Sequence, residues 1–105
     1  MTVKYTFYVG LNDKDSKVQE VNTLEAAKIV QNVFVKNEVD GATITSGKGI
    51  YKHENGTIVT EETLIIQVYE FGEPVKVKEI CDDLKVMLNQ ESIAVEKTEA
   101  NSVLY

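Results

Sequence analysis

The chain has 105 residues, 43% hydrophobic and 27% charged, which suits one domain with a single core. Its net charge is −6, and all eleven basic residues are lysine, so it lacks the basic face and arginine forks of a nucleic-acid binder. The lone Cys81 allows no intrachain disulfide, no stretch is long and apolar enough to span a membrane, and "MTVKYTFYVG" has no signal-peptide anatomy. A cytoplasmic protein without membrane attachment is expected.

Val3, Tyr5, Phe7 and Val9 alternate with Lys4, Thr6 and Tyr8, predicting a strand with one buried face. "GLNDKDSKVQ" reads as a polar loop. Asn22 is placed to cap a helix, with Glu25 three residues on. Leu24, Ala27, Val30, Val33 and Phe34 supply its apolar stripe, and the helix should end near Asn37. Asp40-Gly41 turns the chain into a second strand, Ala42 to Ser46. Asn55-Gly56 is a strong hairpin signal, because a type I′ turn needs positive φ at both central positions. The return strand runs from Thr57 to Phe71. Gly72-Glu73-Pro74 opens a second helix with buried Val77, Ile80, Cys81, Leu84 and Leu88. Ile93 and Val95 mark a last strand, and "NSVLY" is a short apolar tail.

The order is β-α-β-β-α-β, an α+β, ferredoxin-like plan with an antiparallel sheet and two helices on one face. The other face would carry Thr6, Tyr8, Thr43, Thr45, Ile65, Gln67, Tyr69 and Ala94. That set is too apolar to be wholly solvated and too polar for a monomer core. A homo-oligomer, dimer or trimer, joined through sheet faces and edges is expected.

The glycines of "GATITSGKG" raise a register question. A two-residue Asn55-Gly56 turn pairs Glu54 with Thr57 and, continued unbroken, sets Ile44 opposite Gln67. Residues paired across strands share a face, so that match is poor. One extra residue in the first strand sets Ile44 opposite Ile66, Ser46 opposite Leu64 and Ala42 opposite Val68. A β-bulge at Gly47–Gly49 would do this and bend the hairpin tip away from the sheet. A bent, glycine-rich strand exposes backbone N–H groups, with Lys48, Tyr51, Lys52 and His53 along the protruding arm. Asn12 and Lys14 belong to the nearby loop. Together these six are the candidate ligand-binding residues, with Gly47 and Gly49 as the backbone element. Lysine would supply charge for an anion, the Tyr51 ring a stacking surface, and His53 pH sensitivity.

Other chemistry is missing. Gly47-Lys48-Gly49 is no P-loop, which needs G-x-x-x-x-G-K-[ST] between strand and helix. His53 near a hairpin tip and Cys81 on a buried helix stripe do not form a nucleophile–base pair. No second His or Cys gives metal-ligand spacing, and Asp13 and Asp15 lack the glycine and distal glutamate of a calcium loop. Glu61-Glu62 and Asp82-Asp83 diverge in direction and do not read as catalytic pairs. No catalytic residue, cofactor or metal is expected.

The element order and "GATITSGKG" resemble the PII signal-transduction family and its PII-like relatives. Gly41, Thr43, Thr45 and Gly47 or Gly49 loosely occupy the G-x-T-x-T-x-x-x-G-x-G opening of the PII ligand loop. Tyr51, Gly56 and Glu61 or Glu62 match the aromatic–Gly–Glu order of the PII-like relatives. The resemblance implies a trimer with ligands such as adenine nucleotides between subunits. It departs where an Asn-Gly hairpin replaces a long loop, and where no arginine and only Lys97 follow Lys85. The expected function is therefore a non-enzymatic, oligomeric, regulatory protein binding a nucleotide or other anionic metabolite. Two alternatives stand beside it. One is a phage or mobile-element protein that binds and inhibits a host defence factor or sequesters its nucleotide signal. The other is a dimeric α+β-barrel enzyme.

Overall fold

The computed structural model describes residues 2–105. The elements are β1 (Thr2–Gly10), α1 (Thr23–Lys36), β2 (Thr43–Lys52), β3 (Ile58–Glu70), α2 (Val77–Met87) and β4 (Ala94–Ala100). The strands form one antiparallel sheet in the order β2-β3-β1-β4, the ferredoxin-like arrangement expected from the sequence.

Alternation along the strands sends Phe7, Val9, Leu64, Ile66 and Val68 to one side of the sheet. There they meet Ala26, Val30, Val33 and Phe34 of α1 and Ile80 and Leu84 of α2. Phe7 and Phe34 pack edge to face with centroids 5.1 Å apart. Asn22 caps α1 as expected, its Oδ1 accepting from the Glu25 N–H at 2.8 Å, and Asn37 closes the helix. The α1 stripe is rotated from the expected one: Leu24 is exposed, and Ala26 points into the core. At 3.6 residues per turn, Leu24 lies far round the helix from the face of Ala26, Val30 and Val33. The second helix begins at Val77, three residues beyond Pro74. Between them the Val75 N–H donates to the Glu70 carboxylate at 2.7 Å, which ties the approach to the end of β3.

The register of β2 on β3 corrects one expectation and meets another. Ile44 faces Ile66 and Ser46 faces Leu64, as the apolar rows demand. Yet Gly47, Lys48 and Gly49 pair in unbroken succession with Thr63, Glu62 and Glu61. There is no bulge at the glycines. The extra residue lies in the turn instead. The His53 N–H donates to the Thr57 carbonyl, and the Gly56 N–H to the His53 carbonyl, both at 2.9 Å. Glu54, Asn55 and Gly56 thus form a three-residue loop, with Gly56 at φ +88° and Asn55 outside the positive-φ region. The Asn55 side chain accepts from the Thr57 N–H at 2.9 Å, a local bond that favours this turn over type I′.

β1 reaches only as far as the Gly10–Thr63 pair, so Lys48 to Glu62 form a two-stranded arm beyond it. The chain is accordingly 47 Å long and 21 Å across its shortest axis. Replacing Gly56 with alanine forces a Cβ onto a left-handed backbone. It should cost about 1 kcal/mol, read as a lowered urea midpoint at unchanged slope. An unchanged midpoint would mean that the turn has another conformation.

Candidate functional site

The base of the arm, the β1–α1 loop and the α2–β4 loop enclose a hollow of about 500 Å³. Its floor is the helix-free side of the sheet, with Tyr8, Gly10, Glu61 and Thr63. Asn12, Asp13, Lys14 and Lys17 line one wall, and Gln90, Glu91 and Ser92 another. Tyr51 and His53 lie two residues apart on the arm, pack edge to face with centroids 5.3 Å apart, and close a third side.

Hydrogen bonds hold the two loops together. The Gln90 side-chain amide donates to the Asn12 carbonyl at 2.9 Å. The Asn89 amide donates to Asp13 and Asp15, each at 2.9 Å. Asn89 takes a left-handed backbone at φ 49°, which turns the chain out of α2 and presents that amide to the neighbouring loop. The Asn89 bond, helped by the Ser16 and Asp15 backbone N–H groups, holds the Asp13 carboxyl below the usual aspartate range.

Glu61 is fixed at the floor of the hollow. Its Oε2 accepts from the Asn12 backbone N–H at 3.0 Å. Its carboxylate lies directly over Gly10: a Cβ there would stand 2.5 Å from Oε1. Gly49 pairs with Glu61 across the ladder, and a Cβ on Gly49 would stand 2.8 Å from the Thr63 hydroxyl. Two glycines therefore clear the surface on which this half-buried carboxylate rests.

Of the six residues singled out from the sequence, Asn12, Lys14, Tyr51 and His53 line this hollow. Lys48 and Lys52 do not. Both project from the opposite side of the arm, where Lys48 bonds Glu62 at 2.6 Å. With no bulge to rotate the strand, alternation puts Lys48 and Tyr51 on different faces. Gly47 and Gly49 lie in the regular ladder, where they make room and do not expose N–H groups. Glu61, Tyr8 and Gln90 were not anticipated. The signal for Glu61 was present as a carboxylate facing a glycine across the hairpin, but it becomes visible only in the correct register.

Among the described residues no group of three or more His, Cys, Asp or Glu side chains is arranged to hold a metal ion. Cys81 is half-buried on α2, and its burial pushes the thiol pKa up, against a nucleophilic role. No helix among the described residues is long and apolar enough to cross a membrane.

Residues 4–103 match the family described as "Protein of unknown function (DUF3574)". The chain belongs to that family. A comparison with curated proteins finds no match. Among solved structures, a phage SAM lyase in complex with S-methyl-5′-thioadenosine superposes with a TM-score of 0.72 at 22% identity, over 93% of this chain and 81% of that one. The periplasmic divalent cation tolerance protein CutA from Archaeoglobus fulgidus gives 0.63 at 16% identity, over 99% and 88%. The GlnK–ATP complex of B. subtilis gives 0.57 at 14% identity, over 92% and 84%. The DUF3574 chain thus has the PII-like fold that the element order and the "GATITSGKG" stretch suggested. The phage lyase overturns the expectation of a non-enzyme. A chain of this shape supports lyase chemistry, so the lack of a familiar catalytic motif here carries no weight against activity.

The clamp between the two loops yields a titration prediction. Asn89→Gly keeps the left-handed backbone and removes the amide that bonds Asp13. Asp13 should then titrate higher, toward the ordinary aspartate range, in a carbon-detected NMR titration. A folded pKa held low contributes stability above the unfolded value and loses it as pH falls through the folded one. The variant should therefore lose stability relative to the parent near neutral pH and converge with it in acid. An unmoved Asp13 titration would show that the amide does not bond it in solution.

Proposed function

We propose that this DUF3574 protein is an oligomeric enzyme that binds a sulfonium compound of the S-adenosylmethionine class in the hollow and cleaves it. The observation that carries this reading is the Glu61 carboxylate, held by the Asn12 N–H over Gly10 and facing the same space as the Tyr51 and His53 rings. A fixed anion beside aromatic surfaces suits a cation attached to a nucleoside. Around it the hollow sets Asp13 and Glu91 near Lys14 and Lys17, a mixed lining that suits a zwitterionic amino-acid group. Three carboxylates against two lysines, with Lys48 tied up on the far side of the arm, suit a polyphosphate less well. The lyase and GlnK relatives, bound to a thioadenosine and to ATP, lend fold-level support for an adenosine ligand.

In the single chain the hollow is open toward the helix-free sheet face. That face exposes Tyr8, and the arm exposes Ile50, Tyr51 and Ile58. A two-stranded ribbon is marginal in water by itself and gains from packing on another surface. A second copy of the chain would cover these rings and close the hollow. The positioned groups then have distinct tasks. Tyr51 stacks on the base, Lys14 pairs with the ligand carboxylate, and Glu61 faces the sulfonium. Breaking a carbon–sulfur bond sends the bonding pair to sulfur and leaves a neutral thioether. Cleavage on the amino-acid side would release S-methyl-5′-thioadenosine, with the substrate's own carboxylate oxygen bonding the carbon that leaves sulfur and closing a lactone, so that no outside nucleophile or base is needed.

The test is incubation of the purified protein with S-adenosylmethionine, followed by chromatography for S-methyl-5′-thioadenosine and native mass spectrometry for oligomers carrying ligand. Time-dependent thioadenosine release from an oligomer is expected. Glu61→Gln should weaken S-adenosylmethionine binding about tenfold and leave the neutral thioadenosine within about twofold, since only the charged ligand loses an ion pair. A monomer that neither binds nor consumes the sulfonium overturns the proposal, as does equal weakening of both ligands.

A further inference from the structure

The opposite end of the sheet carries a second groove, of about 630 Å³, between the α1–β2 turn and the β3–α2 turn. We propose that it is a separate binding site for a small organic cation with a planar or N-methylated head.

Two rings form its surface. Tyr69 lies next to the last residue of β3, Phe71 is the first residue beyond the strand, and the two rings lie on the same side. Their rings are stacked, with centroids 5.6 Å apart and planes within 21°. Yet Tyr69 is 44% exposed and Phe71 49%. The core at this end is served by Val68 on the other side of the strand, so the pair is not needed to close it. Stacked rings held half in water give a flat, electron-rich face, which attracts cations and planar cationic rings.

The rim has one sign of charge. Glu38, Asp40 and Glu73 line the groove. Lys76 pairs with Glu38 at 3.1 Å, whereas Asp40 and Glu73 form no ion pair among the described residues. Lys4 is the cross-strand partner of Tyr69 on β1 but does not line the groove. The turn that carries Glu38 is fixed by a left-handed backbone at φ 67° and by the Val39 N–H bond to the Phe34 carbonyl at 3.0 Å, so the carboxylates are presented from a set loop. Leu104 of the C-terminal tail adds an apolar wall. Rings below and uncompensated carboxylates above select for positive charge with apolar bulk, and against phosphate or carboxylate ligands. The groove shares no lining residue with the hollow around Glu61, so the two sites are independent.

The experiment is an amide NMR titration of the full chain at low salt with three ring compounds of one shape. These are 1-methylnicotinamide (cationic), nicotinamide (neutral) and nicotinate (anionic). Shifts are expected at residues 38–43 and 69–73, with the cation binding about fivefold or more above nicotinamide and nicotinate weakest. Glu73→Gln, a conservative change at an exposed position, should weaken the cation by about threefold to tenfold, and Tyr69→Ala by a similar factor. The proposal is overturned if nicotinamide binds as well as the cation. It is equally overturned if the shifts centre on Tyr51 and Glu61, if Glu73→Gln changes nothing, or if no groove amide moves at millimolar cation.

Discussion

The pairing of β2 with β3 is the constraint on which the rest depends. Its register sets Ile44 and Ser46 opposite Ile66 and Leu64, completing one edge of the core, and sets Gly49 opposite Glu61. Because side chains alternate, one choice of register fixes both faces at once. A slip of one residue would turn Ile44 away from the core and take Gly49 off Glu61, because pairing with β1 holds Leu64 and Ile66 facing the helices and, by alternation, Glu61 on the other side. The burial of those two side chains, roughly 2–3 kcal/mol each, therefore also decides where the carboxylate stands. A three-residue turn with Gly56 in the left-handed region makes that register geometrically available.

The hollow gains its chemistry from the meeting of three segments far apart in sequence. Glu61 comes from β3, its N–H donor from Asn12 after β1, and the loop brace from Asn89 and Gln90 after α2. Each contact runs from a side chain of one segment to the backbone or a side chain of another. The carboxylate is thus already bonded before any ligand arrives, so little reorganisation is needed to present its charge. Such preorganisation separates a binding group from a solvated surface acid. The stacked Tyr69–Phe71 groove at the other end is built from the ends of β2 and β3 and the two turns beside them.

The element order, the Asn22 cap, the core side of each strand and the apolar rows of the hairpin were all legible in the sequence, because periodicity and capping are local. The position of the extra hairpin residue was not. Asn-Gly is compatible with two turn types, and a side-chain bond from Asn55 to the Thr57 N–H accompanies the longer one. That single ambiguity propagated. It made Gly47–Gly49 read as a bulge, grouped Lys48 with Tyr51 when they face opposite ways, and hid Glu61 behind its neighbour Glu62. Asn12, Lys14, Tyr51 and His53 reach the same hollow because loops at one end of this fold converge whatever the hairpin register. The expectation of a non-enzyme rested on motif reading alone. A site assembled from backbone N–H groups, a lone carboxylate and glycine clearance leaves no spaced signature, and a phage lyase of the same fold was needed to correct the expectation.

In the proposed complex Glu61, held over Gly10, faces the charged centre of a nucleoside sulfonium ligand. A crystal structure of the protein with S-adenosylmethionine or its thioadenosine product tests it most directly. The nucleoside should lie in the hollow, its base against Tyr51, its sulfur beside the Glu61 carboxylate, with a second copy closing the open side. A ligand seated elsewhere on the sheet, or one whose sulfur points away from Glu61, would contradict it.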